Sequence, residues 1–276
     1  MSAFPNLRAA TRSEATKQTT TSMWWVLALL LFGYVAFTSA VLGFVFAASA
    51  TGKLTGSDAT PLPAEGLSPT LYSTATAIGY VFPLLIGTLL VTGEIRHQTL
   101  TPTFLATPRR WLVLVAKLLV GAGLGVLYGV VGVVASVGPS AGFLAGMGLT
   151  TDLGSGRTWA MLGRMVLAFV LWVLVGIGVG ALVRSQVGAI VGVIVFTQFV
   201  EPIVRLVATF APRASDVANY LPGSASDALV GASLYTQMTG ATESGLDWWA
   251  GALVMLAYAA VFLVLGWRAS WRRDVT

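Results

Sequence analysis

Uncharged apolar runs, each about as long as a bilayer is thick, limit this chain more than anything else in it. Trp24 to Ser49 carries no ionisable side chain, and neither do Tyr72 to Thr92, Leu118 to Gly138, Met165 to Val183 or Trp248 to Trp267. A sixth run starts at Val187 and is interrupted by Glu201, Pro202 and Arg205. A helix crosses the hydrocarbon with about 20 apolar residues. In lipid only helices and closed barrels satisfy their own backbone. The runs are continuous rather than alternating, which excludes barrel strands. The expected fold is therefore an all-α integral membrane protein with six transmembrane helices. Composition agrees: 10% of the 276 residues are charged, against about 25% in a soluble domain. Mean hydropathy is +0.81.

The first run is too long for a signal-peptide core, so it is expected to stay in the mature chain. Basic residues orient such a protein with their excess inside the cell. With a cytoplasmic N-terminus, Arg8, Arg12, Lys17, Arg96, Arg109, Arg110, Lys117, Arg184, Arg268, Arg272 and Arg273 fall inside, eleven of the 16 lysines and arginines. Six spans then return the C-terminus to the cytoplasm. The expected organisation is an N-terminal cytoplasmic or interfacial segment 1–22, either a short helix or a tail, followed by a six-span domain 23–276. Within that domain a cytoplasmic loop covers 93–110. A second outer loop runs from Pro139 to Thr158, and an outer, partly re-entrant region covers about 202–247.

Several function classes find no footing. Gly52-Lys53 lacks the leading glycine of a phosphate loop, since position 47 is alanine. The serines of Gly223 to Ser226 have no base within reach, because the only histidine, His97, is expected across the membrane. There is no cysteine, and no carboxylate and histidine set has metal-ligand spacing. The net charge of +5 distributes by loop and is no nucleic-acid signal. Nothing indicates an enzyme, a cofactor or a metal held by this chain. Glycines four apart, Gly121, Gly125 and Gly129 in the third span and Gly176 and Gly180 in the fourth, allow close helix approach. So do Gly188 and Gly192 in the fifth. They serve either packing within the chain or a dimer seam. Lys117 and Arg164 lie near span ends, where long side chains can snorkel. Glu201 and Arg205 share a helix face and can pair. Pro202 beside them predicts a break in the fifth span, with the pair as a structural stitch at the break or a substrate contact.

One polar segment stands out between the second and third spans. Glu94, Arg96, His97, Arg109 and Arg110 fall within about twenty residues of otherwise apolar sequence. Pro102 and Pro108 bound it, and helical Glu94, His97 and Thr101 share a side. It is either a short charged element suited to being gripped by another protein or an ordinary solvated loop with positive-inside arginines.

The stretch GEIRHQTLTPTFLATPRRWLVLVAKLL, residues 93–119, resembles the intracellular loop of ABC-2 type transporter permeases. SEATKQTTTSMWW before the first span, FVEPIV at 199–204, YLPGSASDAL at 220–229 and the terminal WRRDVT are similar to that family as well. Gln18-Thr19-Thr20 departs from it, since the family often has a basic residue there. The resemblance implies the transmembrane subunit of an ATP-driven ABC exporter in a bacterial plasma membrane. ATP and magnesium would sit on a separate ABC ATP-binding subunit. A second permease copy, identical or paralogous, would complete the pore among membrane lipids. Glu94, Ile95, Arg96, His97, Gln98, Thr99 and Leu100 would form the surface that couples to the ATPase, with Arg109 and Arg110 as its membrane-side anchor. First, second and fifth spans would line the path of a hydrophobic or amphiphilic drug, lipid or peptide. The rival reading is a secondary transporter or a scaffold working without an ATPase.

Overall fold

The computed structural model describes residues 3–53, 65–99, 103, 109–183, 185–208, 210, 217–235 and 245–268. Among them there are helices and no strand. The helices are α1 (Ala3–Thr19), α2 (Met23–Ala50), α3 (Leu67–Tyr72), α4 (Thr74–Gly79), α5 (Val81–Arg96), α6 (Arg110–Gly146), α7 (Gly156–Leu182), α8 (Gln186–Val195), α9 (Glu201–Ala208), α10 (Pro222–Val230) and α11 (Trp248–Gly266). Six stretches are long and apolar enough to cross a membrane: α2, α3 to α5 together, α6, α7, α8 to α9 together, and α11. The chain is a multi-pass membrane protein.

The span α7 is the axis of the bundle, packed against α5, α6 and α11. Phe169, Trp172, Val173 and Ile177 are buried on it. It gets that close to its neighbours because glycines remove side chains at the crossings. A Cβ on Gly125 would stand 2.6 Å from the Val170 Cα, and one on Gly129 would stand 2.8 Å from the Val166 Cα. On Gly121 it would meet the Ile177 side chain at 2.5 Å. From the α7 side, Gly176 lies against the Leu84 carbonyl and Gly180 against that of Thr88. Without a hydrophobic drive between helices in lipid, such backbone contact is the main source of cohesion. Gly192 in the fifth span differs, because nothing lies within 4 Å of its Cβ position. The outward faces of α2, α8 and α11 expose Leu29, Phe37, Val187, Val191, Leu253 and Val261, as a lipid-facing ring should.

Two sequence expectations about proline are corrected. The third span does not end at Pro139. The helix α6 carries that proline inside it and runs to Gly146. The missing N–H costs one backbone bond, which spans tolerate where packed neighbours and hydroxyls surround the site. Here α2 packs along α6, Ser136 and Ser140 are buried, and the Ser136 hydroxyl donates to the Val133 carbonyl at 3.3 Å. Nor does Pro202 break the fifth span. A single π turn, Phe196–Val200, precedes it and the helix continues as α9. The N-terminal segment, open in the sequence between helix and tail, is the helix α1, which packs on the base of α6.

Candidate functional site

At the end of the bundle where α5 finishes, four charges from three elements meet. Glu14 and Lys17 lie on one face of α1, Glu94 is in the last turn of α5, and Lys117 is two turns into α6. The Lys117 Nζ donates to Glu14 Oε2 at 2.7 Å and to the Leu90 carbonyl at 3.2 Å. It stands 2.9 Å from Glu94 Oε2. Lys17 donates to Glu14 Oε1 at 2.6 Å, to Glu94 Oε1 at 2.8 Å and to the Thr103 hydroxyl at 3.1 Å. Two carboxylates and two ammonium groups close into a neutral, alternating ring. Buried charge is tolerable only when paired and hydrogen-bonded in this way. Burial alone would depress the Lys17 ammonium. The hydrogen bonds and charges of Glu14 and Glu94 outweigh that, so its pKa stands above the ordinary lysine value.

This geometry changes two sequence expectations. Lys117 does not snorkel; its side chain is 0% exposed, because the nearest compensation for its charge is Glu14 from α1, not water. Glu94 is buried in the ring and is no part of an open surface. Ile95 is half-buried, while Arg96, His97, Gln98 and Thr99 are exposed at the tip. Gln98 takes a φ of 54°, turning the chain out of the helix. Arg96 donates to the Gln186 side chain at 3.3 Å, and Arg109 is exposed at the start of α6. Leu100, Thr101, Pro102, Pro108, Arg184 and the segment 269–276 lie outside the described residues.

At the other end, roughly 20 Å along α5, a second polar group holds α9 to α10. Glu201 accepts the Gly223 N–H at 2.5 Å, at the N-terminus of α10. A carboxylate there satisfies an orphan donor and complements the helix dipole. Arg205 sits 3.4 Å from Glu201 and donates to Asp227 Oδ2 at 2.9 Å, with its guanidinium 5.3 Å from the centre of the Tyr235 ring. Ser233 donates to the same Asp227 oxygen at 2.9 Å. Beside this group the Tyr80 hydroxyl donates to the Thr197 carbonyl at 2.8 Å.

The profile of the ABC-2 family transporter protein matches residues 3–275, which takes in both polar groups and every helix between them. The chain belongs to the ABC-2 transporter family. Comparison with curated proteins found no match. Members of this family are membrane transport components, not themselves catalytic, and they generally pair with an ATP-binding subunit. Among the described residues no three His, Asp or Glu side chains gather to hold a metal.

For an ABC-2 protein the informative residues divide unevenly between what sequence singles out and what it passes over. Arg96 to Thr99, Arg109, Glu201 and Arg205 stand out in the sequence. Glu14, Asp227 and Tyr80 do not, and the sequence puts Lys117 in the wrong surroundings. A signal for Lys117 exists: a lysine with apolar residues on both sides of it needs a carboxylate, and Glu14 is one of only two acids expected on its side of the membrane before the fourth span. Tyr80 carries no such signal, because its partner is a backbone carbonyl.

Proposed function

We propose that this ABC-2 protein is the transmembrane permease subunit of an ATP-driven exporter, working with a separate ATP-binding subunit and a second permease copy in a bacterial plasma membrane. The observation that carries the proposal is the exposed tip Arg96–Thr99. It projects from the end of a span whose last turn is tied through Glu94 to α1 and α6. A surface element so fixed to three helices can pass a push from an ATPase into the membrane domain, where a free loop would absorb it. Both acids near this tip, Glu14 and Glu94, face inward, so the exposed charges, Arg96 and Arg109, are basic. A receiving cleft on the partner is therefore acidic at its rim. ATP and magnesium belong to that partner. The cargo is hydrophobic or amphiphilic, a drug, lipid or peptide, moving along apolar spans with the Glu201 group near the outer gate.

The test is co-purification from the native host in mild detergent, followed by ATPase assay, comparing the parent with Arg96→Glu/Arg109→Glu. Exposed residues make this a cleaner probe than Glu94, whose loss would disturb the fold. A stoichiometric ATPase that comes down with the parent and is lost from the double variant supports the reading. An ATPase-free parent that still transports, driven by an ion gradient, sinks it.

A further inference from the structure

The fifth span contains one extra residue in a turn, and the chain itself shows why. In the π turn the Glu201 N–H bonds the Phe196 carbonyl, five residues back. The Thr197 carbonyl is left waiting for residue 202, and residue 202 is proline, which has no N–H. A buried carbonyl in lipid must find a donor elsewhere. Tyr80, at the joint between α4 and α5, supplies it at 2.8 Å. Packing fixes the ring in that position. It is buried and lies 4.6 Å, centre to centre, from Trp172, whose indole N–H donates to Ser226 on α10 at 3.1 Å.

We propose that Tyr80 is a positioning residue for transport: its hydroxyl holds the fifth span in the π-bulged register that aims Glu201 and Arg205 at α10. Single π turns recur at functional sites and can be lost to a regular helix. If this one anneals, every residue after it turns by about 100° about the helix axis. Glu201 then leaves the Gly223 N–H, and Arg205 leaves Asp227. The second span thereby controls whether the fifth is latched to the outer helix. Contacts made from this stretch that depend on the register include Tyr80 with Thr197, Glu201 with Gly223, and Arg205 with Asp227 and the Tyr235 ring. The inference deepens the exporter reading, since it supplies the lock that transport must release, but the register itself can be measured with no ATPase present.

The absence of cysteine makes the measurement direct. A spin label on Val207→Cys, in the otherwise unchanged chain in liposomes, reports oxygen accessibility. In the bulged register Val207 is 58% exposed and its neighbour Ala208 is 5% exposed. Annealing moves Val207 into the place of Ala208. With Tyr80→Phe, which keeps the ring and removes the hydroxyl, accessibility at Val207 is expected to fall several-fold. Adding Pro202→Ala gives the Thr197 carbonyl the N–H it lacks in the π register, so in Tyr80→Phe/Pro202→Ala the accessibility should return toward the parent value. In the complex with its ATPase, Tyr80→Phe should lower transport several-fold while ATP hydrolysis persists, a split that general loss of packing would not produce. An unchanged Val207 accessibility in folded Tyr80→Phe overturns the proposal. Should Tyr80→Phe alone not fold, the double variant Tyr80→Phe/Pro202→Ala decides: it should fold with the parent's Val207 accessibility, and failure of either overturns the proposal. Failure to recover any ATPase would count against the exporter reading and leave the accessibility result standing.

Discussion

Lys117, fully buried on α6, donates to Glu14 of α1 at 2.7 Å and stands 2.9 Å from Glu94 of α5, so a single ammonium ties three helices together. Removing it strands two buried carboxylates on the partly exposed Lys17. Breaking a buried pair in this way costs about 3–5 kcal/mol, so Lys117→Met should lower the midpoint of thermal unfolding in detergent steeply. Adding Glu14→Gln returns the site to one acid and one base. The double variant is expected to recover a large part of the loss. If the two single effects simply add, the ring is not an energetic unit.

Lys17 gives the ring a pH signature. Its pKa in the folded chain is raised, the pull of Glu14 and Glu94 outweighing the burial that opposes it. A raised lysine contributes stability that is full below the unfolded value of about 10.4. That contribution disappears as pH climbs through the higher folded value. Between pH 7 and 9 the parent and Lys17→Ala should therefore differ by a constant unfolding offset. Above pH 10 the offset should shrink. Parallel unfolding curves right through pH 11 would show that Lys17 carries no such coupling.

Glycine packing predicts a contrast within one residue type. Gly176→Ala drives a methyl into the Leu84 carbonyl, and the obstacle is backbone that cannot rotate away. Overpacking of this kind costs roughly 1–3 kcal/mol. Gly192→Ala meets nothing within 4 Å and should be neutral or slightly stabilising, since alanine favours the helix. Paired thermal unfolding of the two variants checks this. Equal effects would mean that Gly192 is covered by something the single chain lacks, a second copy being the first suspect.

The spans are readable in the sequence because hydrocarbon thickness imposes a length that no other structure explains. Their internal glycines are readable by spacing alone, although spacing does not say that Gly121, Gly125 and Gly129 face α7 while Gly192 faces outward. Proline misleads twice, at 139 and 202, because its local cost is known but the compensation comes from elsewhere. Tyr80 lies far before Pro202 in the chain, and α2 packs along α6 from a similar remove. The charge ring is hidden for a related reason. Glu94 and Arg96 look alike in a polar segment, and only the helical phase of α5 against α6 sends one inward and leaves the other exposed.

Glu201 decides between the exporter and its rival. Its carboxylate caps α10 through the Gly223 N–H and shares Arg205 with Asp227. Glu201→Ala orphans that N–H at a buried helix end, and a buried donor left unpaired costs about 1–3 kcal/mol. Glu201→Gln keeps a neutral acceptor there and should restore a good part of the stability while removing the proton site. For a latch, transport by Glu201→Gln in proteoliposomes with the ATPase should stay within a few-fold of the parent and be indifferent to a proton gradient. A secondary carrier predicts the opposite: transport by the parent that follows the gradient without ATP, abolished in Glu201→Gln. Finding that pattern would assign Glu201 to proton coupling and remove the need for an ATPase.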